Sequence, residues 1–305
     1  MTTPITTASF PKALRSEVFA YTQLSYKELP QYWRELFYQT TSQMQYEELV
    51  AGDAFGLVGV KDETDGVSMM AEKQAHVTRS THAVYAAGYV NTLEERLFNK
   101  SKLLSMQRGA RLARAFARTS ENVHANIFNR AFNASYTFGD GSAWMVTNHA
   151  TTNGNQSNIL ATAADLSEAS LEDLCIQVRK AVDNVGNRLD LRPACLVYAP
   201  DNIPNAFRII ESELQNDSAN NAINFFKGNN RVPKHFDWPY LDDADAFFIL
   251  TDIAKTDEGL VHWDAHPFKM MVDNDSDTFN EKHIGFQIYS ATVGNFRAGY
   301  GTPGA

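Results

Sequence analysis

The chain has 305 residues, 44% of them apolar and 21% charged, with a formal net charge of −9. That balance fits a folded protein with a sizeable core, excludes a disordered chain, and argues against a general nucleic-acid binder. No apolar run reaches the roughly 20 residues needed to cross a bilayer, and the start MTTPITTASF lacks the basic and apolar regions of a signal peptide, so synthesis in the cytoplasm and no membrane partner are expected.

Residues 1–45 mix polar and aromatic side chains, with a short helical pattern at Leu29–Tyr38, and read as a partly extended arm. Strands are expected at Ala54–Val60 and Val67–Arg79 around the polar turn Lys61–Gly66, where Asp65-Gly66 favours a hairpin. From His76 to Val90 the pattern alternates (Val77, Arg79, Thr81, Ala83, Tyr85, Ala87, Tyr89), which predicts one long strand. A hairpin of this length is marginal alone and needs a surface to lie on.

Thr92 with Glu95 forms a capping-box pattern. Leu93, Leu97, Leu104, Leu112, Phe116, Val123, Ile127 and Ala131 then recur at spacings built from three and four, which predicts one helix over Thr92–Phe132. At about 1.5 Å per residue it would span roughly 60 Å. Residues 91–132 hold eight Lys or Arg against three Glu, a charge of +5 that leaves −14 for the rest of the chain. The rod is basic in an acidic protein.

A Gly-, Asn- and Thr-rich loop follows (Gly139–Asn158). A helix is expected from Ser170, with Leu171, Leu174, Cys175, Val178 and Val182 on one face and Gly186 at its end. Ala194–Tyr198 reads as a buried strand, and Asn202 as the cap of a helix carrying Ala206, Phe207, Ile210 and Leu214. After an Asn-rich loop (Asn216, Asn220, Asn221, Asn224, Asn229, Asn230), strands are expected at Ala246–Leu250, Leu260–Trp263, Phe268–Val272 and His283–Arg297. The acidic turn Asp273–Asn280 separates the last two. The closing strands need a sheet, and the strand ahead of the long helix is the natural partner; the α/β block is then an insertion in a discontinuous domain.

No catalytic, cofactor-binding or metal constellation emerges. Ser142 lacks the flanking glycines of a nucleophile elbow. His262 and His266 are four apart, but on a strand that separation is about 13 Å. Asp273, Asp275 and Asp277 open like a calcium loop, yet Thr278 and Ile284 occupy its glycine and glutamate positions. The three aspartates, like Lys61, Asp62, Glu63, Asp65 and Gly66 in the hairpin turn, are instead candidates for contacts with another subunit. Lys100, Arg108, Arg111, Arg114 and Arg118 form a basic helix face that is either solvated, ion-paired or turned to a polyanion. Cys175 and Cys195 read as free thiols.

As a whole the pattern resembles the major capsid proteins of tailed bacteriophages, of the Mu-like major head type, a fold of α+β class. The likeness rests on Tyr46-Glu47-Glu48-Leu49 to Gly66, on Val77–Val90 followed by Thr92–Phe132, and on Ser142–Asn158. It also rests on Leu196-Val197-Tyr198-Ala199-Pro200 before a helix, and on Gly285–Ile288 to Arg297–Tyr300. The resemblance implies an N-terminal arm (1–45), an extended loop (46–80), a peripheral domain (81–150 and 262–305) with a spine helix (92–132), and an axial domain (151–261). It implies hexamers and pentamers tiling an icosahedral shell around packaged double-stranded DNA, a virion location, and a separate scaffold protein, a portal and decoration proteins as partners. The spine helix would put its basic face toward DNA. An encapsulin-type compartment shell is the first alternative, and a metal-dependent hydrolase using His149, His262 or His266 the second.

Overall fold

The computed structural model describes residues 22, 24–26, 29–52, 55–64, 66–71, 73–98, 102–214, 223–229 and 232–305. Most of the expected arm, Asp65, Lys100, and Asn216, Asn220, Asn221 and Asn230 lie outside these residues. The described chain runs α1 (Trp33–Leu36), β1 (Tyr38–Thr41), β2 (Tyr46–Gly52), β3 (Gln74–Thr81), β4 (Ala83–Asn91), α2 (Leu93–Phe98), α3 (Lys102–Asn129), β5 (His149–Thr151) and β6 (Gly154–Gln156). It continues through α4 (Glu168–Arg179), β7 (Pro193–Tyr198), α5 (Ile203–Glu211), α6 (Phe225–Asn229), β8 (Lys234–Asp237), β9 (Phe247–Thr251), β10 (Leu260–Asn274), β11 (Glu281–Val293) and β12 (Gly299–Thr302).

Two four-stranded sheets organise these elements. The first has the order β1-β10-β11-β4. The closing strands do join the strand ahead of the long helix: β11 pairs antiparallel with β4, from Glu281 opposite Asn91 to Tyr289 opposite Ala83. The second sheet, order β12-β9-β7-β8, belongs to the α/β block. Its last strand was expected with the closing strands, but Gly299–Thr302 crosses over to pair with β9. Only a chain that leaves the first sheet at Val293 can do this, and the buried Phe296, Arg297 and Ala298 make the crossing.

Several local expectations need correction. The long strand His76–Val90 is two strands: β3 pairs with β2, and β4 with β11. The switch falls at His82, whose N–H donates to the Gln45 carbonyl and whose Nδ1 lies 2.8 Å from Ser290 Oγ. The covered side of the pleat changes with it: Thr78 and Ser80 are the buried positions of β3, and Tyr85 and Tyr89 the half-buried ones of β4. Among the described residues the ladder is confined to 46–52 and 74–81, so the strands expected at Ala54–Val60 and Val67–Arg79 do not run paired up to the turn, and the described residues between have no regular structure. The two expected strands 260–263 and 268–272 are one strand, β10, whose register shifts around Pro267, a residue with no N–H for the ladder. The arm's helical pattern shrinks to α1, because Tyr38–Thr41 pairs parallel with β10.

The capping hydrogen bond of the long helix is present, Glu95 N–H to Thr92 Oγ1 at 3.3 Å. The helical residues fall into α2 and α3, with 99–101 outside the described residues. The 28-residue α3 is about 42 Å long. It stops at Asn129, whose amide donates to Asp242 Oδ2 (2.9 Å) and whose carbonyl oxygen accepts from Asp242 N–H (3.1 Å), tying the helix end to the α/β block. In that block, α4 starts slightly earlier than expected, with Ser167 as cap in a reciprocal box with Ser170. It ends at Arg179, so Gly186 (φ 101°) serves the turn closed by Asp183 rather than the helix. Asn202 does not cap α5; its amide donates to the Ala244 carbonyl at 2.7 Å.

The core has two parts. One fills the block between α4, α5 and the second sheet, around Leu171, Leu174, Leu196, Phe226 and Ile249. The other joins both sheets to α3 and α1 through Trp33, Phe37, Phe128, Trp144, Trp238 and Phe248.

Candidate assembly surfaces and the junction that positions them

Four places carry the residues of functional interest. The first is the loop between β2 and β3. Lys61, Asp62, Glu63 and Gly66 are exposed there, and so are the apolar side chains flanking them: Leu57 is 84%, Val60 99% and Met69 89% exposed. Composition alone reads such residues as strand core. Here several large apolar side chains within one loop stand in water.

The second is the acidic turn. Asp275 accepts the Asp277 N–H (3.1 Å) and pairs with Lys282 (3.1 Å), which together hold its carboxyl below the usual range. Part of the acidic tip is therefore neutralised within its own hairpin. Asp273 sits opposite Lys282 in the ladder, and Asp277 is exposed. Phe279, with φ 56°, projects beside them and is largely exposed.

The third is the basic helix face. Arg111, Arg114 and Arg118 share one exposed side of α3, while Ala110, Ala113, Phe116, Ala117 and Ser120 are buried on the other. Arg108 stands apart from the three: it pairs with Glu95 at 2.5 Å and donates to Asn91 Oδ1 at 2.7 Å, bracing α2 and β4 against α3.

The fourth, missed by the sequence reading, is a buried polar junction. Trp33 of α1 stacks on His124 of α3 (4.2 Å between centroids) and meets His262 of β10 at a tilt of 42° (4.3 Å). His124 Nδ1 donates to the Ser120 carbonyl (2.6 Å), so its Nε2 accepts from His262 Nδ1 (3.0 Å). Burial pushes both imidazoles far below the usual histidine range, so both are neutral. One turn back, buried Glu121 accepts the Trp238 indole N–H at 3.0 Å; desolvation outweighs that bond and raises its carboxyl to about 7. Arm, spine helix, first sheet and block meet here. Apolar periodicity could not reveal a junction built from polar rings.

The histidines of the hydrolase alternative occupy unlike settings. His149 is fully buried, with Nδ1 on Asp140 Oδ2 (2.6 Å) and Nε2 facing the Trp144 carbonyl and Asn158 Oδ1 (3.2 Å each). His262 is in the junction, and His266 is half-buried beside the Pro267 carbonyl. Among the described residues, no three His, Cys, Asp or Glu side chains converge on a point where a metal ion would fit, and no helix is long and apolar enough to cross a membrane.

A family model described as phage capsid protein matches residues 77–301. No curated protein matches the sequence. Among solved structures, the capsid of a native GTA particle superposes with a TM-score of 0.57 at 13% identity over 89% of each chain. The mature capsid of bacteriophage PhiM1 gives 0.55 at 12% identity, covering 90% of this chain and 87% of that one. The SrpI encapsulin of Synechococcus elongatus gives 0.53 at 12% identity with the same coverage. At these identities the likeness is one of fold.

Proposed function

Because this chain belongs to the phage capsid protein family, we propose that its copies assemble as hexamers and pentamers into the icosahedral head shell that encloses packaged double-stranded DNA. In this reading residues 46–80 lie across a neighbouring subunit, 81–150 with 262–293 form the peripheral domain, and 151–261, rejoined by Gly299–Thr302, the axial domain toward the capsomer centre. A separate scaffold, a portal and decoration proteins complete the particle, which is built in the host cytoplasm. The observation that carries the reading is the loop tip, where Leu57, Val60 and Met69 stay in water unless a second subunit covers them. An encapsulin-type shell shares the fold, and the family match favours the phage shell.

Negative-stain microscopy of the full-length protein, expressed with its scaffold, should show closed shells. Deleting Lys61–Gly66 should leave the melting temperature of the subunit unchanged while shell yield falls at least tenfold. Normal shells from the deletion would refute the role of the loop.

The exposed Arg111, Arg114 and Arg118 are proposed to face the packaged DNA, whose phosphates they meet without base recognition. Charge reversal of all three should still give shells. Those shells should release DNA at lower salt, because each lost phosphate contact weakens the salt-dependent binding. Unchanged retention across a salt titration would assign these arginines to solvent.

A further inference from the structure

Strand β4 is an open edge. The order β1-β10-β11-β4 leaves one of its sides without a ladder partner among the described residues. It is nine residues long, runs without a register shift against β11, and contains neither a charge nor a proline. Natural sheets protect such edges with lysine, proline, bulges or a covering element, because unpaired N–H and C=O groups template another strand. Here none of those side-chain or bulge devices is present. Val84 is 66% and Val90 50% exposed.

The sequence of the edge is close to a palindrome about Ala87: Val84-Tyr85-Ala86-Ala87-Gly88-Tyr89-Val90. Its burial follows the same symmetry, with Tyr85 and Tyr89 half-buried and Val84, Ala86, Ala87, Gly88 and Val90 exposed. From these observations we propose that two copies of the chain join through β4 against β4 in an isologous antiparallel pair centred on Ala87. The proposal rests on the shell reading above, which supplies the second copy, and adds the place and symmetry of one contact.

The register is self-consistent. Ala87 faces itself, Val84 faces Val90 of the other copy, Tyr85 faces its Tyr89, and small Ala86 faces small Gly88. Side chains alternate between faces, so each of these pairs lies on a single face of the joined sheet. Gly285, opposite Ala87, lies on the face covered by α3, since a Cβ there would meet Phe116. Val84 and Val90 therefore sit on the other face, beside Ile288 and Lys282 of β11. A twofold axis through Ala87 and perpendicular to the sheet makes one eight-stranded sheet with both spine helices on the same side. A shell wall asks for that arrangement, because its twofold axes stand perpendicular to its surface and every subunit must keep the same side inward. No charged side chain within the strand meets its own copy across the axis.

Facing residues of an antiparallel pair have Cα atoms about 4.5–5.5 Å apart, within reach of a disulfide. The test is Ala87→Cys in the full-length protein, assembled with its scaffold, oxidised mildly and run on a non-reducing gel beside wild type to control for Cys175 and Cys195. Covalent dimers should account for most Ala87→Cys subunits. Val84→Cys alone should give none, and Val84→Cys with Val90→Cys should restore them. Assembled Ala87→Cys shells in which the introduced thiol stays unpaired would overturn the proposal: a maleimide-reactive thiol would mean an open edge, and a protected one would mean another occupant. A protein that never forms shells or dimers would overturn both this contact and the shell reading.

Discussion

Phe128→Ala will destabilise the isolated subunit by about 3–5 kcal/mol, the cost of removing a large ring from a site that cannot collapse. Phe128 is 1% exposed and meets rings from four parts of the chain: Phe37 (6.4 Å), Trp144 (5.0 Å), Trp238 (5.4 Å) and Phe248 (5.2 Å). These residues come from the arm, the segment after the spine helix, the block and its central sheet. Each relies on the others for position, so inward relaxation in one direction opens a gap in another. Urea denaturation followed by tryptophan fluorescence reads both the loss and its site, since Trp144 and Trp238 flank the ring. Phe128→Leu, which keeps most of the volume, should lose less than half as much. A loss under about 1 kcal/mol for the alanine variant, well short of the usual cost of such a truncation, would mean that the two sheets are held by other contacts.

Acid will unfold the subunit through the junction at Trp33. His124 and His262 have folded values far below their unfolded value near 6.5. The unfolded chain therefore binds protons that the folded chain refuses, and stability falls as pH drops below about 6.5, by roughly 1.4 kcal/mol per pH unit for each histidine. Glu121 acts in the opposite sense. Its folded value of about 7 lies above the ordinary 4.5, so its contribution is lost as pH rises from about 4.5 through 7. Between pH 4.5 and 6.5 one histidine slope is offset, and the net loss on acidification is roughly 1.4 kcal/mol per unit. Glu121→Gln removes the offset. It should raise stability at pH 8 by roughly 2–3 kcal/mol, with the gain shrinking toward pH 5 and a steeper fall in acid. His124→Gln should flatten the acid limb. Equal pH profiles for wild type and both variants, measured by chemical denaturation from pH 4.5 to 8, would remove the junction from the account.

The sequence made the order of elements readable because long elements carry strong periodicity. Phe116, Ile127 and the Thr92 cap mark the spine helix whatever surrounds it, and the Ser142–Asn158 loop is announced by its composition. What it could not show depends on partners distant in the chain. His82 looks like any residue of an alternating strand, yet the chain changes sheets there. Tyr38–Thr41 is too polar to read as a strand and becomes one because β10 offers an edge. Val58 and Val60 read as core because apolar composition cannot report that no surface in the same subunit covers them. Glu121 and His124 escaped notice, and His262 was weighed only as a metal ligand, because periodicity counts apolar residues, whereas their burial is made tolerable by one another and by two indoles.

The first sheet has a consequence for how the chain comes into being. Tyr38 is held opposite Val261, Asn91 opposite Glu281, and the Asn158 amide donates to the carbonyls of Phe296 and Gly299. Every one of these closures spans more than a hundred residues and waits on the last strands to be made. Such distant pairings form late, after the entropy of the long loops has been overcome. A chain still on the ribosome short of Glu281 has no sheet for β4 to join and no seat for the spine helix. The first sheet and the seat of the spine helix thus come into existence together, and only on a chain that has reached its last strands.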